Sequence, residues 1–350
     1  MSASAAPYFS FIIAARNDQY AGGMVRRLQV CVDSFVHQAE ALGLPAELII
    51  VDWNPPPDKS LARAVRWPTQ PQSCSIRIIT VPPHIHASHR FADRLPILIH
   101  RARNVGIRRA RGAFTLPTSA DILLSDELAA TFATRQLDPS VMYRIARHDV
   151  PDAVLAVDSH EARLRYCREH VMQVHGRNGS YQIPGAPLLF TNGAGDFTLL
   201  SRDMYSRLRG IPEEREFHSM HFDSVFCYQV HAAGADEQVF VEPCRIYHVD
   251  HGLPSWRRRP GILERFAARL PLKPKASKRL VKKIRKLSPP RSAIARRGVP
   301  YLSKASPDGK AQYEGLIRLI LEARGDFFYN AADWGLGNCD LDEEVIAAAR

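Results

Sequence analysis

The sequence predicts an α/β fold: a mainly parallel central sheet flanked by helices. Short apolar runs at residues 8–15, 47–52, 75–81 and 113–117 read as buried strands, each bounded by polar residues, proline or glycine. Helical periodicity over 24–42 and 96–111 falls between such runs. Strands alternating with helices imply parallel pairing with both faces covered.

Taken in order, the first strand ends in Arg16, Asn17 and Asp18. The helix over 24–42 places Leu28, Val32, Phe35, Val36 and Ala39 on one face and stops at Gly43. The second strand ends in Asp52, Trp53 and Asn54, and Pro55–Pro57 breaks it. Pro82 and Pro83 halt the third. A basic helix carrying Arg103, Asn104, Arg108, Arg109 and Arg111 leads through Gly112 into the fourth, after which come Ser119, Ala120 and Asp121. A helix over 126–137 and a strand over 141–145 follow, and 150–185 reads as a long irregular loop. Asp196 lies in a glycine turn, a helix spans 220–233, and short strands cover 239–241 and 245–248. Helices are expected at 276–287, 310–323 and 341–349.

With 350 residues, 45% of them hydrophobic and 24% charged, the composition is that of a globular chain. No run approaches the ~18 apolar residues of a membrane span. No basic, then apolar, leader opens the chain, and the six cysteines form no CxxC, so reduced thiols and a cytoplasmic location are expected. The net charge of +11 is localised: between Arg257 and Lys304 stand 17 Lys and Arg against one acid, leaving 30 basic and 35 acidic residues elsewhere. That segment mixes its charge with Leu263, Phe266, Leu280, Val281 and Ile284, a pattern suited to an anionic membrane face. It lacks the interleaved aromatics of specific nucleic-acid binding. The alternative is a solvated linker.

Parallel strands present their carboxyl ends, where ligands bind, along one edge. Asp18, Asp52 and Asp121 each follow such an end. Asp121 reads as a cation ligand or as a cap of the next helix, a task open to Ser125 or Asp126. Asn17 and Asp18 read as ribose or base contacts or as a helix cap. Asp52 suits a base N–H. One arginine of the basic helix facing the edge would neutralise phosphate, the others being solvated. Asp223 opens the helix over 220–233, either as a cap or as a general base. His248 and His251 would complete a Mn²⁺-type site with Asp121 or serve structure. His84, His86 and His89 form a second, weaker cluster. No Walker lysine, GxSxG or strand-following GxGxxG occurs.

Residues 8–252 resemble the GT-A fold nucleotide-sugar glycosyltransferases, the family-2-like group with a galactosyltransferase-type C-terminal half. The resemblance implies a nucleotide-sugar-binding half over 1–126 and an acceptor-binding half over 127–252; the charge pattern adds a basic, mostly helical extension over 253–350. It implies donor contacts from Ala15, Arg16, Asn17, Asp18, Asp52, Asn54, Arg103, Asn104, Ser119, Ala120 and Asp121, and acceptor contacts from Asp196 and Glu213. It makes Asp223 the general base and Asp121, His248 and His251 the ligands of Mn²⁺ or Mg²⁺. The family's Asp-x-Asp is Ser119-Ala120-Asp121 here, and its Glu-Asp is Phe222-Asp223. The expected activity is inverting hexosyl transfer from a UDP-sugar to a hydroxyl of a glycan or lipid-linked acceptor, in cell-envelope polysaccharide synthesis at the inner membrane face. The competing expectations are a sugar-nucleotide pyrophosphorylase, whose glycine-rich phosphate loop the first strand lacks, and a non-catalytic, membrane-associated scaffold.

Overall fold

The computed structural model describes residues 6–18, 22–69, 71–214, 218–219, 221–251, 280, 301–302 and 307–348. In chain order the elements are β1 (Phe9–Ala15), α1 (Met24–Leu42), β2 (Ala46–Trp53), α2 (Leu61–Ala64), β3 (Cys74–Val81), α3 (Pro83–Ala87), α4 (Ile99–Arg109), β4 (Phe114–Thr118) and β5 (Ile122–Leu124). Then come α5 (Asp126–Ala133), β6 (Val141–Ile145), β7 (Arg147–Val150), α6 (His160–Glu169), β8 (Gln173–His175), β9 (Leu200–Ser201) and α7 (Arg202–Arg207). The remainder are β10 (His218–Ser219), α8 (Phe222–Ala232), β11 (Asp236–Phe240), β12 (Ile246–Val249), β13 (Tyr301–Leu302), α9 (Pro307–Glu322) and β14 (Asp342–Ala347).

The expected sheet is present. Its order is β14-β3-β2-β1-β4-β9; the inner four strands are parallel and the two edges antiparallel. Successive side chains alternate between two cores. Phe11, Ile13, Leu48 and Ile50 face α1 and α5, whereas Ile12, Ile49, Val51 and Ile79 face α4 and the residues of α8 and α9. Gly106 lets α4 lie flat on the sheet, since a Cβ there would stand 2.5 Å from Ile12 Cγ2. The chain runs from β1 to β2 on one side and returns to β4 on the other. The crevice at that reversal is where an open α/β sheet binds ligands.

A second sheet, β5-β12-β7-β8, stands beside this edge. It corrects the irregular reading of 150–185. Ser159 caps α6 by accepting from Ala162 N at 3.1 Å, and Arg163, Leu164 and Cys167 are buried. The segment is too polar for its helix to stand out in the sequence, and tertiary burial of one face settles it.

The expected helix at 341–349 is instead β14. Glu343 there pairs with the buried Arg77, which also pairs with Glu47 at 2.6 Å, and the strand adds to the free edge of β3. An available edge and a buried cation outweigh the local helical preference. Within the helix expected at 276–287 only Leu280 is described, and it is helical. The basic stretch 257–304 otherwise lies almost entirely outside the described residues. Among those described, no helix is long and apolar enough to cross a membrane, and the cysteines are free.

Candidate active site

β1, β2 and β4 end side by side, with Ala15 opposite Asp52 and Ile13 opposite Thr118. Ala15 is buried backbone support. Arg16 donates from Nε to Asn54 O at 2.7 Å and pairs through Nη1 with Asp18 at 2.9 Å. Asn54 holds a left-handed φ of 50° and donates to Pro96 O. Asn17 sits in the same turn. The turn does not cap α1, whose N-cap is Gly23. Asp52 is fully buried: Oδ2 accepts from Leu61 N at 2.8 Å, and Oδ1 has no hydrogen-bond partner among the described residues. Burial raises its carboxyl to about 6, against the opposing pull of the Leu61 amide and Arg16.

The second sheet gathers the other charged groups. Asp121 immediately precedes β5, and its carbonyl accepts from Val249 N at 2.9 Å, which ties it to the end of β12. His251 Nε2 stands 3.1 Å from Asp121 Oδ2, and His248 Nε2 stands 3.8 Å from it. One donor atom from each of the three residues lies within 4.8 Å of the others. Asp121 Oδ1 is buried with no hydrogen-bond partner among the described residues. Burial opposes the charge of Asp121, but the His251 hydrogen bond and His248 outweigh it and hold the carboxyl below its usual range. Ser125 caps α5, accepting from Leu128 N, so Asp121 is not needed as a cap. A hard carboxylate with two imidazoles and an unsatisfied oxygen fits a divalent cation of the Mn²⁺ type.

A chain of polar contacts runs from Arg147 through Asp196 and Ser119 to Arg103. Asp196 Oδ2 pairs with Arg147 Nη1 at 2.7 Å, and Oδ1 accepts from Ser119 Oγ at 2.9 Å. Ser119 Oγ in turn accepts from Arg103 Nη2 at 3.0 Å. The Ser119 hydroxyl thus holds the carboxylate of Asp196. Ala120 between Ser119 and Asp121 is half-buried. A Cβ on Gly195 would lie 2.9 Å from Asp223 Oδ2 and 3.3 Å from Arg103 Nη1, so this glycine lets both groups approach the turn. Asp223 Oδ1 accepts from Ser224 N at 2.8 Å.

Not every residue singled out in the sequence joins this arrangement. Asn104 bonds Ile211 in both directions, at 2.7 and 2.9 Å, and donates to Glu213 Oε1 at 3.0 Å. Glu213 also accepts from Gly335 N and pairs with Arg101. These two residues lock α4 to the 211–214 turn and the C-terminal segment. Arg108 and Arg109 donate to carbonyls of residues 332–339, so they too serve the fold, and only Arg103 reaches the edge. His86 accepts the Trp53 indole N–H at 2.8 Å, and His89 stacks on that ring. Sequence reading missed Arg147, Asp149 and His175. The alternation of Arg147 and Asp149 directly after an expected strand was the available signal.

No protein-family model matches the chain. No curated protein matches it either. Among solved structures it is similar to S. aureus TarS 1–349, at 14% identity over 92% of this chain and 93% of that chain, with a TM-score of 0.42. A longer S. aureus TarS structure matches at 13% identity over 90% of this chain and 55% of that chain, TM-score 0.41. The catalytic domain of Drosophila β1,4-galactosyltransferase 7, in complex with xylobiose, matches at 11% identity over 78% and 79% of the two chains, TM-score 0.37. These are loose likenesses.

Proposed function

We propose that this chain is a glycosyltransferase that moves a hexosyl group, with inversion, from a UDP-sugar to a hydroxyl of a glycan or lipid-linked acceptor. The observation that carries the reading is the Asp121–His248–His251 cluster at the carboxyl edge of the parallel sheet, with Arg103 and Asp223 both beside Gly195. The buried, unpartnered Oδ1 of Asp52 on the same edge suits the N–H of a uracil ring. Asp18, Asn17 and the Asn54 turn border the ribose. Arg103, aimed at Gly195, neutralises diphosphate charge.

Asp223 acts as the base. Its Oδ1 is fixed by the Ser224 amide, and Oδ2 takes the proton of the acceptor hydroxyl as that oxygen attacks the anomeric carbon. Asp121, His248 and His251 would hold Mn²⁺ or Mg²⁺, which supplies Lewis-acid stabilisation of the departing nucleoside diphosphate. An open depression of about 620 Å³, lined by Gln173, His175, Arg177, Asn178 and Asn192, offers hydrogen-bonding groups for a sugar of the acceptor. The basic charge of 257–304 supports attachment at the anionic cytoplasmic face of a membrane, where a cell-envelope acceptor is presented.

The test is calorimetry of UDP, GDP and CDP with and without Mn²⁺, followed by turnover of UDP-sugars by wild type and Asp223→Asn. The expected result is Mn²⁺-dependent UDP binding kept in Asp223→Asn, with turnover reduced about 10²- to 10⁴-fold. Failure of wild type to bind any of the nucleotides overturns the donor site and leaves the scaffold reading.

A further inference from the structure

We infer that Asp149 is a positioning residue of the cation site, acting through His248 and itself clamped by His175. The inference rests on the metal reading of Asp121, His248 and His251. Asp149 on β7 is the register partner of His248 on β12, so the strand pairing delivers the carboxylate to the imidazole. Asp149 Oδ1 stands 3.2 Å from His248 Nδ1 as an ion pair; both atoms are buried, and neither makes a hydrogen bond to any other described residue. Its Oδ2 stands 2.8 Å from His175 Nε2, contributed by β8, and Arg147 Nε lies 3.0 Å from Oδ1.

A neutral imidazole carries one N–H. A carboxylate beside Nδ1 holds the proton there, which turns the Nε2 lone pair toward Asp121. It also fixes the rotation of the ring and raises the basicity of Nε2. His175 keeps Asp149 from turning away. It reaches the carboxylate from a short strand whose neighbours Met172 and Val174 are exposed, so the clamp, not apolar packing, accounts for its placement. Arg147 spans Asp149 and Asp196, which links the cation site to the contacts of Ser119 and Arg103.

The experiment titrates the full chain with Mn²⁺, reading free ion by electron paramagnetic resonance, and records the visible absorption of the Co²⁺ form. Asp149→Asn is expected to weaken Mn²⁺ binding about 10- to 100-fold and to shift the Co²⁺ bands. Asp149→Glu is expected to restore part of the affinity. Should Asp149→Asn fail to fold, His175→Gln carries the test with a several-fold loss and the same direction of spectral shift. Wild-type affinity and spectrum in the variant that carries the test overturn the inference while the metal reading stands. A wild-type chain that binds neither ion overturns both.

Discussion

His86 and His89 lie against Trp53 at the end of β2; His248 and His251 lie against Asp121, which immediately precedes β5. Both pairs are removed from water, and burial by itself disfavours the imidazolium. Around Trp53 burial prevails: it lowers His86, and with the nearby charge of Arg101 it brings His89 down to about 4. Around Asp121 the burial of His248 is outweighed by Asp149, Asp121 and Asp196, and its pKa rises. The carboxylates make the difference. Two histidine clusters of similar spacing become, in one case, a neutral wedge that accepts an indole N–H and, in the other, part of a charged cluster around Asp121.

The largest expected effect breaks the charged cluster at its centre. Asp121→Ala removes the carboxylate shared by the two imidazoles, and Mn²⁺ affinity is expected to fall by about 100-fold or more, read by calorimetry. His86→Phe leaves that affinity unchanged if the clusters are as distinct as their surroundings indicate.

Asp52 provides the opposite test, a buried carboxylate with no histidine beside it. Its folded pKa of about 6 lies above the usual carboxylate value, so the folded state favours the protonated form. Stability from this group is therefore fully present at low pH and is lost as pH rises from near 4 through 6, a change on the order of 3 kcal/mol. Asp52→Asn is expected to flatten that part of the stability–pH curve in urea denaturation. An unchanged slope would place the titration elsewhere.

A smaller effect is expected in the neutral cluster. His86→Phe leaves the buried Trp53 N–H without its acceptor, at a cost of about 1–3 kcal/mol in the same denaturation assay. His89→Phe keeps a stacked ring over Trp53 and should change stability by less than about 1 kcal/mol. A large loss in metal binding from either variant would end the distinction between the clusters.

The parallel sheet, the helices over 24–42 and 96–111, and the common edge of Asp18, Asp52 and Asp121 are legible in the sequence. Apolar period and breakers act over a few residues, so they can be read locally. Ser125 as the cap of α5 is legible for the same reason. The separation of Arg103 from Arg108 and Arg109 is not, because the carbonyls that take the latter two come from residues more than 200 positions away. Glu213 and Asn104 likewise resemble ligand contacts in the sequence and are spent on each other in the fold.

The chain by itself determined which segments are buried strands and which acids end them. Tertiary structure decided that Asp342–Ala347 is an edge strand, that His175 and Asp149 stand behind His248, and that His86 serves Trp53. Pattern records how each segment meets water and core. Partners brought in by strand register from distant parts of the chain leave no local trace, and those partners set the role of each histidine.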